Sequence, residues 1–309
     1  MGTLVDGQWQ SEQLFPTDPK GSFIRKDSVF QQSVSNTDPV YKPESNRYHL
    51  YVSYACPWAH RTLIMRSLKS LDAHIGISVV CPDMLENGWT FSTKHRDTTG
   101  DRLYQHRYLY QLYQQAKKNL NTRVTVPVLW DTQTKTIVNN ESSQIIRIFN
   151  SEFNTLTGND HNYYPDALKK SIDQWNQQNY DAINNGVYKA GFAVTQSAYD
   201  DAVEKIYTQL DRCDSHLQDH HYLCGSTFTE ADIRLIPTLL RFDLVYHTHF
   251  KCTLKRIIDY KGLSAYLSRC RSIAAVANTT NDWHIKRHYY YSHRHINPYQ
   301  IIPKSPEKY

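Results

Sequence analysis

Hydrophobic and polar positions follow two different rhythms along this chain. Residues 48–55 open on Tyr48, Leu50, Tyr51 and Val52, a run that favours a strand. From 58 to 72 the rhythm changes, and Leu63, Ile64, Leu68 and Leu71 recur at helical spacing. IGISVVC (75–81) reads as a second strand, 84–101 as a loop holding Trp89, and 102–119 as a helix with Leu103, Tyr110, Leu112 and Tyr113 on related faces. Pro127–Trp130 reads as a strand, 131–135 as a turn, and Thr136–Val138 as its antiparallel partner. Asn139–Ser142 then lead into a helix ending near Phe149. This order describes a small α/β layer with mixed strand direction. Residues 1–46, with Pro, Ser, Asp and Asn throughout, read as an irregular arm. Phe15, Phe23, Ile24 and Phe30 make it apolar enough to lie on the globule.

From about 165 only helical periods remain, over 165–185, 197–218, 229–246, 253–260 and 262–275. One start signal is specific. Thr229 with Asp232 forms a capping box with Asp in place of the usual Glu, and Phe228 and Ile233 stand at the positions of a hydrophobic staple. The tail, 284–309, is basic, aromatic and histidine-rich, then proline-rich. The chain is therefore expected to hold an arm (1–46), an α/β domain (47–155) and an all-helical domain with its tail (165–309).

The length of 309 residues suits that division, since it implies roughly two domains. The net charge of +5 is small, and the basic residues form no block, so nucleic-acid binding is not indicated. No apolar run approaches a membrane span. MGTLVDGQWQSEQ lacks a signal peptide's charged start and apolar core, and Asp6 stands where a myristoylation signal needs Ser or Thr. An intracellular, cytoplasmic protein is expected. Its six cysteines are scattered without a C-x-x-C pair, so a reducing compartment leaves them as thiols. Tyrosine is abundant, 23 against 10 Phe; most are packing residues with a wet edge, and position decides which do chemistry.

Cys56, in YVSYACPWAHR (51–61), stands at the seam between the first strand and the first helix. Pro57 suits the first helical turn, where its missing N–H costs nothing. Unbonded amides and the positive end of the helix dipole favour a thiolate there, and such cysteines have pKa values of roughly 3.5–7.5. A buried structural thiol is the alternative. Val126-Pro127 falls just before a strand, where proline is tolerated. A cis bond there would turn the backbone sharply; a trans proline on a strand edge is the alternative. Glu141 and Ser142 open a helix at an anion-friendly N-terminus, with a plain N-cap as the other reading.

Taken in order, ACPWAHR, NGWTFS, RVTVPVLWD, NNESSQIIRIF, NNGVYKAGFA, RFDLVYHTHFKC and HIKRHYYYSHRHINPYQIIP resemble the glutathionyl-hydroquinone reductases, the Xi class of glutathione transferases, from about 45 to 303. The resemblance implies a thioredoxin-like N-terminal domain followed by an all-helical C-terminal domain. It implies glutathione as cosubstrate with no permanently bound cofactor, aromatic quinol conjugates as the other substrate, and a homodimer. Cys56 would be the nucleophile. Trp89, Arg123, Val124, Thr125, Val126, Glu141 and Ser142 would bind glutathione. Tyr188 would move the proton, while Tyr246 and Tyr289, with Tyr290 and His288 beside them, would support the thiolate or hold the quinol. Thr122 stands where the family pattern expects glycine, a departure that bears on a turn. His284 and His288 share a helical face, but no third ligand completes a zinc set at standard spacing, so no metal site is expected.

A thiolate attacks sulfur and makes a mixed disulfide, which a hydroxyl at this position does not do. Ala59 stands where a resolving cysteine would, so a second glutathione must resolve the intermediate. Cys56 equally suits a general thiol transferase or dehydroascorbate reductase; the tyrosine set is what argues for an aromatic substrate. A non-enzymatic assembly module is a third reading, which a lost cysteine or missing glutathione contacts would have favoured.

Overall fold

A computed structural model describes residues 2–11 and 16–304; Phe15 and residues 305–309 of the tail lie outside the described residues. By contacts the chain divides into two units. The first holds described residues 2–11, 27–162 and 279–300; the second holds 16–26, 163–278 and 301–304.

The arm begins with structure. Strands β1 (Gly2–Val5) and β2 (Gln8–Ser11) form an antiparallel hairpin. Asp6 (φ 47°) and Gly7 (φ 76°) make its turn, an Asp-Gly pair that accepts the positive φ values a tight hairpin needs. Next come β3 (Tyr48–Val52), α1 (Pro57–Leu68), β4 (Gly76–Val79), α2 (Leu109–Ala116), β5 (Thr122–Arg123), β6 (Val128–Asp131), β7 (Thr136–Asn139), α3 (Ser142–Ser151) and α4 (Asn154–Thr157). β5 pairs with β1, giving a three-stranded sheet of order β2-β1-β5. Thr122, where a turn was in question, is extended and paired with Leu4. The main sheet has order β4-β3-β6-β7, with β3 parallel to β4 and antiparallel to β6, and β6 antiparallel to β7. Every residue of β3 and β6 is buried, which explains why these strands read as near-continuous apolar runs rather than alternations. α1 packs against α3.

The expected helix over 102–119 is much shorter. Asp101 accounts for the difference. Its Oδ1 accepts from the Leu103 N–H (3.1 Å) and the Tyr51 hydroxyl (3.0 Å), and its Oδ2 from the His106 N–H (3.1 Å). With Gln105 at φ 58°, residues 101–106 wrap that carboxylate instead of entering the helix.

The second unit carries α5 (Lys169–Asn179), α6 (Gly186–Gly191), α7 (Gln196–Asp219), α8 (Glu230–Arg241), α9 (His247–His249), α10 (Lys261–Arg271) and α11 (Ala274–Ala277). The capping box forms at α8: Asp232 Oδ2 accepts from the Thr229 N–H at 2.8 Å and its hydroxyl at 3.2 Å. Two helices run on as π turns, Tyr180–Asn184 after α5 and Phe242–Tyr246 after α8. Residues 253–260, expected helical, keep only a 3-10 turn over Ile257–Asp259. There the Asp243 carboxylate takes the Ile257 and Ile258 N–H groups (2.6 and 3.1 Å), competing with a longer helix. The last helix, α12 (Asp282–Ser292), lies in the first unit, although the sequence pattern groups that tail with the helices before it.

Candidate active site

In the first unit β3 ends and α1 begins around Cys56, which occupies the N-cap with extended backbone (φ −80°, ψ 122°) and Pro57 behind it. Its N–H donates to the Ser53 carbonyl (3.2 Å) and its carbonyl accepts from the His60 N–H (3.0 Å). The thiol is half-buried, and Sγ lies 3.6 Å from the Val126 carbonyl oxygen. The positive end of the α1 dipole at this position favours an anionic sulfur. The other five cysteines differ. Burial pushes the thiols of Cys81, Cys213, Cys224, Cys252 and Cys270 up, those of Cys213 and Cys252 to about 12. They stay protonated at neutral pH.

Val124, Thr125 and Val126 run up to Pro127, and the Val126–Pro127 bond is cis. Buried Tyr113 anchors this stretch. Its hydroxyl donates to the Thr125 carbonyl (2.8 Å) and accepts from Asn140 Nδ2 (3.2 Å). Arg123, just before it, is half-buried in β5.

Glu141 caps α3. Its Oε1 accepts from the Ser143 N–H (3.0 Å) and hydroxyl (2.9 Å), and its Oε2 from the Ser28 hydroxyl (3.2 Å). Ser142, buried at the first helical position, has Oγ 3.5 Å from Arg61 Nη1. Arg61 is itself 1 % exposed, and its guanidinium sits 4.5 Å over the Trp58 ring. This buried cation, between Cys56's helix and Ser142's, is a residue that sequence reasoning passed over although it closes ACPWAHR.

Trp89 stacks on His288 of α12, centroids 4.7 Å apart and planes 19° apart. His288 Nδ1 donates to the Pro82 carbonyl (2.9 Å). Tyr289 and Tyr290 are buried on the same helix, and the Tyr289 ring meets those of His288 (5.2 Å) and His293 (5.3 Å) edge-on. An ionic clamp fixes α12. Arg287 Nε and Nη2 reach Asp83 Oδ1 (2.7 Å) and Oδ2 (3.0 Å), with Lys94 at 2.7 Å and His95 at 3.0 Å from Oδ2. Burial alone would raise the Asp83 carboxyl, but the bonds from Arg287, Lys94 and His95 outweigh it and hold it well below the usual carboxylate range. Cys81, Asp83 and His95 offer ligand atoms within 4.8 Å of one another. Both Asp83 oxygens are engaged by the Arg287 and Lys94 cations, and the Arg287 pair ties the loop after β4 to α12.

Tyr188 and Tyr246 belong to the second unit. Tyr188 lies in α6, directly after one π turn, and Tyr246 closes the other. Their ring centroids are 6.0 Å apart, and both rings pack on Phe250 (5.5 and 5.3 Å). A π turn adds a residue to one helical turn and so shifts the phase of every later turn of the helix, a device frequent at functional sites. Of the residues singled out from sequence, the structure thus brings Cys56 beside Val126, Trp89 onto His288, and Tyr188 beside Tyr246.

A mixed four-stranded sheet with a cysteine-capped helix, and an all-helical second unit, are the two modules of a glutathione transferase. The glutathione S-transferase N-terminal domain family matches residues 55–152 and the glutathione S-transferase C-terminal domain family residues 196–269. The chain is 50% identical to the glutathionyl-hydroquinone reductase YqjG of Escherichia coli over 314 residues, covering 99% of this chain and 95% of the relative. The glutathione-bound structure of YqjG superposes with a TM-score of 0.91 at 48% identity, covering 99% and 96% of the two chains. The Xi glutathione S-transferase of Phanerochaete chrysosporium superposes with a TM-score of 0.94 at 45% identity, covering 97% and 98%. The chain belongs to the glutathionyl-hydroquinone reductase family, the Xi class of glutathione transferases.

Proposed function

We propose that this protein reduces glutathionyl-hydroquinones to hydroquinones, consuming glutathione and releasing glutathione disulfide. The observation that carries the reading is Cys56 at the N-cap of α1, 3.6 Å from the Val126 carbonyl, with Ala59 where a second thiol would resolve it. The Cys56 thiolate attacks the glutathione sulfur of the conjugate, forming an S–S bond as the C–S bond breaks. A bare aryl carbanion is too basic to leave. A ring in its keto form leaves readily, because the bonding pair passes through the ring onto oxygen. The conjugated carbon must therefore gain a proton while the quinol oxygen loses one. Tyr188 is the proposed carrier of that proton. Tyr246 and Tyr289, with Tyr290 and His288 as neighbours, hold the quinol oxygens and support the thiolate. The hydroquinone oxygen takes up a solvent proton on release. A second glutathione thiol then attacks the mixed disulfide, returning that proton and the Cys56 thiolate.

Glutathione is a cosubstrate here. Trp89, Arg123, Val124, Thr125, Val126, Glu141 and Ser142 are its proposed contacts. Arginine suits a ligand carboxylate, the Val126 backbone the cysteinyl part, and the α3 N-terminus the γ-glutamyl end. Support comes from the match to YqjG, whose structure is described as glutathione-bound. We further propose a cytoplasmic homodimer. Among the described residues no helix is long and apolar enough to cross a membrane, and none of the six cysteines is joined to another in a disulfide, an arrangement suited to a reducing compartment.

Incubation with glutathionyl-menadiol and glutathione tests the activity. Menadiol and glutathione disulfide should appear in equal amounts. Rapid reduction of hydroxyethyl disulfide or dehydroascorbate with no menadiol released would instead make this a general thiol transferase.

A further inference from the structure

We infer that Arg25, carried by the N-terminal arm, is a positioning residue that orients Tyr188 and stabilises the negative charge its oxygen acquires during proton transfer. The inference rests on the proposed role of Tyr188 as proton carrier. Within the second unit the arm closes on α6 in three steps. Thr17 and Phe23 bridge across a turn in which Asp18 Oδ1 accepts from the Lys20 and Ser22 N–H groups, both at 2.9 Å. At its tip the Gly21 carbonyl accepts from the Val194 N–H (3.1 Å) and the Lys20 carbonyl from the Thr195 hydroxyl (2.7 Å). Gly21 has φ +87°, and a Cβ there would lie 2.7 Å from Thr195 Cγ2, so this close approach needs glycine. Phe23 then meets Phe192 edge-on at 5.4 Å, and Phe192 packs on Tyr188 at 5.8 Å.

Arg25 completes the clasp. Its Nε donates to Asn185 Oδ1 at 2.8 Å, and its guanidinium carbon stands 5.0 Å from the Tyr188 ring centroid. Asn185 is the residue before α6, and its carbonyl accepts from the Tyr188 N–H at 3.1 Å. One side chain thus holds the start of the helix and covers the face of the phenol one turn on.

The charge matters as much as the hold. A cation over an aromatic face is attracted by the ring electrons, and the attraction grows as the phenol becomes phenolate. When Tyr188 gives its proton to the ring carbon, before the quinol hydroxyl restores it, its oxygen carries that charge. A guanidinium is a fixed cation that does not compete for the transferred proton. It therefore stabilises the transition state more than the ground state, which is the condition for acceleration.

The test compares glutathionyl-menadiol with hydroxyethyl disulfide, which needs no proton on carbon, in Arg25→Gln, Arg25→Lys, Gly21→Ala and Tyr188→Phe. Arg25→Gln should lower menadiol release about five- to thirtyfold, the range of a partly desolvated cation–π contact, and lower the ratio of the two activities by a similar factor. Arg25→Lys keeps the charge and should recover part of the ratio. Gly21→Ala, which displaces the arm without altering Arg25 or Tyr188, should shift the ratio in the same direction. In the Tyr188→Phe background, Arg25→Gln should cost nothing further. Equal losses on both substrates, or a full additional loss in that background, would overturn the role of Arg25. If Tyr188→Phe itself lowers both activities equally, the proton-carrier reading has failed; if it is selective and Arg25→Gln is not, Arg25 alone has.

Discussion

Cys56 draws its proposed reactivity from a position that the sequence displays openly. A strand-like run, a cysteine, a proline and a helical run stand next to one another, and the chain places that cysteine on the N-cap. Alkylation by iodoacetamide across pH should therefore show a midpoint below about 7.5, the upper end for activated thiols, and Cys56→Ser should remove the labelled site along with the reductase activity. A midpoint at the ordinary thiol value would mean that the helix end does not activate it. Tyr188→Phe removes only a hydroxyl. It should slow menadiol release by about 100- to 10,000-fold, the usual worth of a positioned acid–base group, with a loss on hydroxyethyl disulfide at least tenfold smaller. Residues at chain junctions, such as Cys56, Val126 and Glu141, were legible because their signals are local. Arg61 was not, since an arginine in a helix is normally solvated and here the burial comes from tertiary packing. Arg25 and Asp83 were missed for a related reason: Arg25 lies in an arm without periodicity, and Asp83's partner Arg287 is remote in sequence.

At the scale of elements, signals were reliable where the periodicity was strong and side chains did not compete with the backbone. The main-sheet strands, α1, α3 and α7 lie within a few residues of their expected places. The α8 start is where its capping box put it. Asp232 there accepts not only from Thr229 but also from the Leu223 N–H and the Tyr266 hydroxyl, both at 3.0 Å. Asp232→Ala strands these buried donors and should cost about 2–4 kcal/mol, read as a lower urea midpoint with unchanged slope; a shift within error would mean the box is decorative. Where carboxylates capture backbone amides, at Asp101 and Asp243, periodicity overestimated helix. The β1–β2 hairpin falls in a stretch expected to be irregular, although Asp6-Gly7 between TLV and QWQ is a hairpin signal; the Pro- and Ser-rich residues that follow break the pattern of the arm. Neither π turn has a sequence signature among the motifs read from the chain.

Across the whole molecule, histidines that lose solvent on folding couple stability to pH. Burial pushes His49 down to about 4, and His216 and His284 are lowered for the same leading reason. Protonation of the unfolded chain begins near the ordinary histidine value of about 6.5, where native His49 is still neutral. The unfolded state therefore binds more protons between about 6.5 and 4, and stability present above this window is lost as pH falls through it. For His49 alone the loss is roughly 3 kcal/mol. The urea midpoint should fall between pH 7 and 4.5, and His49→Gln should shrink that fall; an unchanged slope would place the acid sensitivity elsewhere. The two kinds of layer were readable from periodicity, but the return of α12 to the first unit was not, because it depends on Asp83 and Pro82 contacts far upstream in the chain. The proposed monothiol cycle through Cys56 leaves a covalent trace, which intact-protein mass spectrometry reads after one equivalent of glutathionyl-menadiol is added without free glutathione. A single glutathione adduct should appear, mapped to the peptide containing Cys56, and disappear on adding glutathione. An internal disulfide between Cys56 and another cysteine, or menadiol release with no adduct formed, would contradict it.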